Sequence, residues 1–318
     1  MIFLSKIIRK LILLQLKFLN SIKIINFYTT ANFYSKYFKS TSQINIDNQV
    51  GIVIHGNIER KGKFTLNNIK KINKQYANIK IVFSTNSPIS EYEIATLKEN
   101  SCEVLINKSL SKSGFLNFNN QKLNTINGLK YIKLKHKSVK YALKLRSDQF
   151  FYNPACINAL ISLLHKFPIK KQKINSRIIC LSSNSLKNIP FHINDMFQFG
   201  YIDDLIFYWS SSRNQNFSLS WSEFRKKQKK YLFSKNTPEI YLNYNFFRRV
   251  NNNCTYDMKN YIQLLSEYLI LIDGLSIGFY WNKYFPINYQ DNNILTINFR
   301  SFSFMEWLIL SNDKNKIS

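Results

Sequence analysis

Short apolar runs alternate with amphipathic stretches between residues 50 and 106, and this pattern constrains the fold more than any other feature. Residues 50–54 (VGIVI), 79–83 (IKIVF) and 103–106 (EVLI) have the composition of buried strands. Residues 65–76, with apolar side chains at helical spacing, and residues 91–100 lie between them. Strands and helices in this order pair in parallel through right-handed crossovers. The sequence therefore predicts an α/β, Rossmann-like fold with a mostly parallel sheet flanked by helices.

The rest of the chain continues this pattern less regularly. Further strands are expected at the end of 139–145 and at 178–182, and partial alternation predicts a half-buried strand at 299–304. Helices are predicted at 124–136, 203–209, 221–231, 238–249 and 261–272. Because no repeat and no Gly/Ser linker is visible, we expect residues 46–318 to form a single α/β domain.

The first 45 residues form a distinct segment in which lysines and an arginine interrupt Ile, Leu and Phe. Its charge-free stretches, 11–16 and 24–35, fall short of the ~20 apolar residues that cross a bilayer. No clear signal-peptide cleavage site follows. A basic amphipathic helix of this kind can lie in an anionic membrane surface or pack on the protein itself, and the sequence leaves both open.

The formal net charge is +27, from 45 Lys and Arg against 18 Asp and Glu. Such a charge favours anionic partners, but the accompanying abundance of Asn, Ile, Tyr and Phe indicates an AT-rich coding bias. The scarcity of carboxylates is more restrictive, because few side chains can then do acid–base or metal chemistry. Four cysteines without a CxxC and four histidines without an HxxxH argue against zinc clusters and redox motifs.

The sequence Arg146-Ser147-Asp148 follows a predicted strand, and ligands bind at the carboxyl ends of parallel strands. Asp148 could hold a divalent cation that bridges a nucleotide-sugar diphosphate. Arg146 could contact a phosphate through two hydrogen bonds. The alternative is a strand-end salt bridge, which is the better interpretation of an isolated Arg-x-Asp.

The remaining acidic candidates occur near helix starts. Asp195 precedes an aromatic-Gly turn and is a candidate general base for an acceptor hydroxyl. Asp203 and Asp204 begin a predicted helix and are expected to be caps. Glu239 follows Pro238 in a predicted first helical turn, where the helix dipole explains a carboxylate and a role in binding an acceptor stays open.

These blocks, in their order along the chain, resemble the WavE lipopolysaccharide synthesis family. No single block is specific to the family, but the order of the blocks is. The resemblance covers residues 50–242. The matching blocks are Gly51-Ile52-Val53-Ile54-His55-Gly56, Val82-Phe83-Ser84-Thr85, Asn119-Asn120-Gln121 with Thr125 and Gly128-Leu129, Lys144-x-Arg146-x-Asp148, Asp195-x-Phe197-x-Phe199-Gly200 with Asp204, and Glu239-x-Tyr241-Leu242.

The resemblance implies a GT-A-like glycosyltransferase that acts in lipopolysaccharide core or surface-polysaccharide synthesis. Its implied substrates are a nucleotide-sugar donor and a glycan or glycolipid acceptor, and its possible cofactor is Mn²⁺ or Mg²⁺. It implies a cytoplasmic enzyme held peripherally on the inner membrane. The implied residues are Asp195 and Asp148 for catalysis, Asp148 for the metal, Arg146, Asn119, Gln121, Thr125, Ser84 and Thr85 for the donor, and Glu239 and Tyr241 for the acceptor.

Two other classes of protein compete with this hypothesis, a non-enzymatic nucleic-acid-binding protein and a membrane-surface protein. The 26 Phe and 19 Tyr could stack on bases, although most fall at core-like positions and no nucleic-acid-binding motif is visible. Nucleic acid is therefore the less favoured partner. The basic run at 225–230 could contact anionic lipid, but a solvated helix face is its usual explanation.

Overall fold

The computed structural model describes residues 44–45, 49–169, 173–211, 235, 237–282 and 300–312. Its strands are β1 (Ile44–Asn45), β2 (Val50–His55), β3 (Tyr76–Ala77), β4 (Lys80–Thr85), β5 (Cys102–Ile106), β6 (Tyr141–Arg146), β7 (Gln149–Phe151), β8 (Ile178–Leu181), β9 (Gln198–Tyr201), β10 (Leu269–Ile272) and β11 (Phe279–Trp281). Its α-helices are α1 (Phe64–Gln75), α2 (Glu91–Glu99), α3 (Phe118–Lys135), α4 (Cys156–Lys166), α5 (Ile202–Trp209), α6 (Pro238–Val250), α7 (Met258–Tyr268) and α8 (Phe304–Asn312).

Seven strands form the central sheet in the order β10-β8-β9-β6-β2-β4-β5. Among the described strands of this sheet, only β9 runs antiparallel to its neighbours, β6 and β8. The predicted GT-A-like, mostly parallel sheet flanked by helices is therefore confirmed. The chain leaves β2 towards β4 on one side and later returns to place β6 on the other. This reversal is a topological switch point, which opens a crevice at the carboxyl ends of β2 and β6.

Two predictions in the last third of the chain are wrong, one at its end and one over its described part. The predicted helix at 261–272 gives way to β10 at Leu269, because the run Leu269–Ile272 is fully buried and pairs with β8. The strand predicted at 299–304 is absent from its described part, where Ser301 makes one isolated bridge and α8 begins at Phe304. The predicted helix at 221–231, the basic run at 225–230 and residues 1–43 of the basic segment lie outside the described residues.

The core lies on both sides of the sheet and takes in many of the aromatic side chains. Phe64, Phe83, Phe118, Phe150 and Trp209 are fully buried. Buried rings cannot stack on bases, so these residues lend no support to a nucleic-acid-binding surface. Within the part of the chain that the structure describes, we find no helix with the length and apolar character needed to cross a membrane.

Helix α3 packs unusually close to the sheet at Gly128. A Cβ atom at this position would lie 2.5 Å from Cγ1 of Val53, a stiff β-branched side chain in β2. We expect Gly128→Ala to destabilise the protein by about 2 kcal/mol, since overpacking of about 3 kcal/mol exceeds a gain of about 1 kcal/mol in helix propensity. Urea denaturation measures this difference. Gly200→Ala, whose Cβ would meet nothing closer than 3.7 Å, is the control and should change stability little. Equal stability of both variants would contradict this account.

Candidate active site

A cleft of about 280 Å³ opens at the switch point, where β2 and β6 end. Its floor is formed by the turn after β2, in which Gly56 has a φ of +114°, and a Cβ there would lie 3.0 Å from Oγ of Ser147. Only glycine adopts this backbone conformation at no cost. The lining residues are His55, Gly56, Asn57, Ile58, Glu59, Asn86, Leu116, Asn117, Gln121, Asn124, Arg146, Ser147 and Asp148.

Arg146 and Asp148 form a bidentate ion pair at the end of β6. Nε of Arg146 donates to Oδ1 of Asp148 at 3.0 Å, and Nη2 donates to Oδ2 at 2.9 Å. Nε1 of Trp281 also donates to Oδ2 at 2.9 Å, and the Arg146 guanidinium lies 5.3 Å from the centre of the Trp281 ring. The strand-end salt bridge considered from the sequence is thus present, and it lies in the cleft.

Trp281 could not be found from the sequence. It reaches Asp148 because β11 pairs antiparallel with β7, which sets Trp281 opposite Gln149. No pattern near residue 281 indicates this pairing across more than 130 positions.

The donor set around Asp148 does not fit a divalent cation. Both carboxylate oxygens are engaged by Arg146 and Trp281. Among the described residues, no three His, Cys, Asp or Glu side chains come together in a way that could hold a metal ion. Ca²⁺ and Mg²⁺ sites are built from several oxygen ligands, and a guanidinium beside a single carboxylate repels a second cation.

Asp195 is held beside the cleft by two neighbours. Its Oδ2 accepts a hydrogen bond of 2.7 Å from Nε2 of Gln121 on α3, and Nζ of Lys144 donates to its backbone carbonyl oxygen. Lys144 is fully buried in β6 and lies 4.7 Å from the centre of the Trp209 ring. Burial lowers the pKa of Lys144 to about 8, although the charge of Asp195 opposes this effect. Gln121 and Lys144 thus fix both ends of the Asp195 residue.

Glu239, in the first turn of α6, completes the group of interacting charges. Burial, followed by repulsion from Asp195, raises the pKa of Glu239 to about 7, although the charges of Arg146 and Lys144 favour ionisation. The structure therefore brings Arg146, Asp148, Gln121, Asp195 and Glu239 together from four separate parts of the sequence.

Of the residues implied by the resemblance, Arg146, Asp148 and Gln121 line the cleft. Asp195 and Glu239 are not part of its lining, and neither are the remaining five, whose described contacts are internal. The side chain of Ser84 accepts a hydrogen bond of 3.0 Å from Nδ2 of Asn107, and that of Thr85 accepts one of 3.0 Å from the backbone N–H of Ser87. Asn119 donates to the carbonyl oxygen of Lys112 at 3.0 Å, and Thr125 donates to that of Gln121 at 2.9 Å. The Tyr241 ring packs edge-on against Phe118, with 5.8 Å between the ring centres. Among these contacts, the hydrogen bond from Asn107 to Ser84 joins the residue after β5 to β4.

His55 is a cleft residue that the sequence reasoning did not select. It is 4% exposed, and among the residues that the structure describes its Nε2 has no hydrogen-bond partner. Burial, and then the charges of Lys144 and Arg146, hold the pKa of His55 well below its ordinary value, so the ring is neutral. Because His55 ends β2 at the same edge as Arg146, the rule that ligands bind at strand ends points to it as well.

The start of α3 also faces the cleft. Leu116 and Asn117 line it with positive φ values of 48° and 66°, which are uncommon for residues with a side chain. Helix α3 has no side-chain cap and no acidic residue in its first turn. The N–H groups of Phe118 and Asn119 already donate to the carbonyl oxygens of Phe115 and Ser113, so it is the positive end of the helix dipole that favours an anion at this side of the cleft.

The predicted capping role of Asp203 and Asp204 is wrong. Tyr201 occupies the N-cap of α5, and no side chain caps the helix. Asp204 is instead buried and accepts hydrogen bonds from the loop at Asn175 and Ser176, while Asp203 lies at the surface in an ion pair with Lys133. The two side chains point in different directions because neighbouring helical residues are 100° apart around the axis.

The raised pKa of Glu239 predicts a pH-dependent stability. A carboxyl group whose folded-state pKa of about 7 exceeds its ordinary value of 4.5 stabilises the fold fully below pH 4.5, and this contribution is lost as the pH rises through 7. Glu239→Gln removes the titration. We therefore expect the Tm of the variant, measured relative to that of the wild type, to increase as the pH is raised from 4.5 to 7. A constant difference in Tm across this range would show that Glu239 has an ordinary pKa.

A sheet of this strand order, with a polar cleft of mixed charge at its switch point, defines a GT-A-like α/β fold. The chain belongs to the WavE lipopolysaccharide synthesis family, whose sequence model matches residues 50–310. The family suspected from the order of the sequence blocks is thereby confirmed. No curated protein matches the chain.

Several solved structures resemble the chain remotely. A glycosyltransferase involved in the glycosylation of the major capsid of PBCV-1 has 10% identity, with 59% of this chain and 79% of that chain covered and a TM-score of 0.29. A 4-diphosphocytidyl-2C-methyl-D-erythritol synthase has 11% identity, coverage of 54% and 82%, and a TM-score of 0.33. Mouse xyloside xylosyltransferase 1 has 9% identity, coverage of 77% and 100%, and a TM-score of 0.37. At these identities the similarity says nothing about the substrate of this chain.

Proposed function

We propose that this WavE-family protein transfers a sugar from a nucleotide-sugar donor to a glycan or glycolipid acceptor in lipopolysaccharide core or surface-polysaccharide synthesis. The observation that carries the proposal is the switch-point cleft, whose lining includes Arg146 and Gln121. Gln121 holds Asp195 beside the cleft by a hydrogen bond, and Glu239 lies within electrostatic reach of Asp195 and Arg146. A guanidinium suits a diphosphate, and two carboxyl groups with different surroundings suit acid–base work on hydroxyl groups. The description of the family supports the pathway.

The donor diphosphate binds between Arg146 and the N-terminus of α3. Arg146 supplies N–H donors and a full positive charge, and α3 adds the positive end of its dipole. Asn57 and Asn117, whose amides line the same cleft, suit the hydroxyl groups of a sugar or ribose.

Asp195 acts as the general base. It accepts the proton of the acceptor hydroxyl as that oxygen attacks the anomeric carbon, the bond from this carbon to the phosphate oxygen breaks, and the nucleoside diphosphate leaves. Gln121 orients the carboxylate, and Lys144 holds the backbone behind it. Glu239, which is partly protonated near pH 7, donates a hydrogen bond to a substrate hydroxyl.

We place the enzyme on the cytoplasmic face of the inner membrane as a peripheral protein. Support comes from the basic, apolar composition of residues 1–45, which suits an anionic lipid surface. Pelleting of the full chain with anionic vesicles, but not with neutral ones, is the expected result. Equal recovery of the protein in the supernatant with both vesicle types would contradict the proposed attachment to the inner membrane.

A thermal-shift screen against nucleoside diphosphates and nucleotide sugars tests the donor class. A ligand that binds only the native state raises Tm, and about 2.7 kcal/mol of stabilisation follows when its concentration is 100 times Kd. We expect one nucleotide family to raise Tm selectively and its sugar conjugate to be hydrolysed slowly without acceptor. Absence of any shift, together with salt-sensitive retention on nucleic acid, would overturn the transferase proposal.

A further inference from the structure

We propose that Arg146, and no bound divalent cation, supplies the positive charge that neutralises the leaving diphosphate, with Asp148 and Trp281 as the positioning residues of its guanidinium. This inference rests on the proposed function and specifies how the same site handles charge. It assigns Asp148 a role different from that of the metal ligand expected from the sequence.

The geometry of the ion pair fixes the guanidinium in one orientation. Two parallel hydrogen bonds of 3.0 and 2.9 Å join Arg146 to Asp148, and a fork of this kind defines both the plane and the direction of the group. The Trp281 ring lies 5.3 Å from the guanidinium and adds a cation–π contact. The side chain of Arg146 is 31% exposed and lines the cleft, so a ligand can reach it.

Asp148 is itself held from three directions. Its Oδ2 accepts from Nε1 of Trp281 at 2.9 Å, and its backbone oxygen accepts from the N–H of Asn282 at 2.9 Å. The carboxylate is only 14% exposed. A cation that bound Asp148 would have to displace Arg146 and then remain beside it, which Coulomb repulsion opposes.

Among the described residues that line the cleft, Arg146 carries the single full positive charge, while Asp148 and Glu59 carry negative charges. Arg146 contributes to the lowered pKa of both His55 and Lys144, so its field reaches each of them. The N-terminus of α3 adds a partial positive charge on the same wall. These groups do what a divalent cation does at a leaving diphosphate, which is to stabilise developing negative charge.

Isothermal titration of the full chain tests the inference, with UDP, GDP, ADP and inorganic pyrophosphate as probes, in excess EDTA and in MnCl₂. We expect at least one probe to bind with a Kd that agrees within about twofold between the two buffers. Arg146→Met should raise this Kd about 100-fold, which corresponds to two lost charge-assisted hydrogen bonds. Arg146→Lys keeps the charge but loses the fork and should raise Kd about tenfold.

The positioning role has its own variants. Asp148→Asn and Trp281→Phe should each raise Kd about three- to tenfold with little change in Tm, and binding by both should stay insensitive to EDTA. A merely structural role would lower Tm and leave Kd unchanged. Arg60→Met is the matched control, since Arg60 makes the same bidentate contact with Glu93 (2.7 and 3.0 Å) but does not line the cleft.

The two proposals fail differently. Binding that needs Mn²⁺ and disappears in EDTA, or a Mn²⁺ dependence that Asp148→Asn abolishes, would overturn the role of Arg146 while leaving the transferase intact. Absence of binding by every probe in both buffers would overturn the proposed function and this inference with it.

Discussion

Asp195→Asn is expected to lower the turnover number of sugar transfer by about 10²- to 10⁴-fold, the range that general-base catalysis contributes. The asparagine has the same shape, and its amide oxygen can still accept the hydrogen bond from Nε2 of Gln121. It cannot accept the proton of the acceptor hydroxyl. The affinity for the donor should therefore stay close to that of the wild type, and steady-state kinetics with isothermal titration separate the two effects.

Asp203→Asn is the control for this variant. Asp203 also carries a carboxylate eight positions along the chain, but it lies at the surface in an ion pair with Lys133 and outside the cleft. Its turnover should match that of the wild type. If Asp195→Asn retained more than about a tenth of wild-type turnover, Glu239 would become the better candidate for the base.

Asp204→Ala is expected to cost about 3–4 kcal/mol of the free energy of unfolding. Asp204 is buried, and its carboxylate accepts hydrogen bonds of 2.9 Å from the N–H and Nδ2 of Asn175 and from the N–H of Ser176. Alanine leaves these donors without a partner in the interior, and each buried unpaired group costs about 1–3 kcal/mol. Urea denaturation measures the loss.

The neighbouring Asp203 again provides the comparison. Asp203→Ala removes an ion pair between two half-exposed side chains, and such pairs contribute about 0–1 kcal/mol. Two variants one residue apart on α5 should therefore differ several-fold in stability. Equal effects would mean that the loop at Asn175 and Ser176 finds other partners when the Asp204 carboxylate is absent.

The sequence alone predicted the elements of the sheet that come first along the chain. Strands β2, β4 and β5 and helices α1 and α2 were predicted to within two residues, because short apolar runs and helical spacing are local signals. The same patterns placed Arg146 and Asp148 at a strand end. They also picked out Asp195 and Glu239 as candidates from a small set of carboxylates.

Tertiary structure alone decided how these residues meet. The reversal between β2 and β6 forms the cleft, and the pairing of β11 with β7 brings Trp281 to Asp148. The helix predicted over 261–272 was wrong at its end, where the chain forms β10. The apolar run Leu269–Ile272 suits a buried helix as well as a strand, and its pairing with β8 selects the strand. The surroundings that raise the pKa of Glu239, and that leave Nε2 of His55 without a hydrogen-bond partner in the described part of the chain, come from burial among distant segments. Local sequence determines which helices and strands form. Strand pairing and burial determine which side chains share a site, because the energies of pairing and burial depend on contacts between residues far apart in sequence.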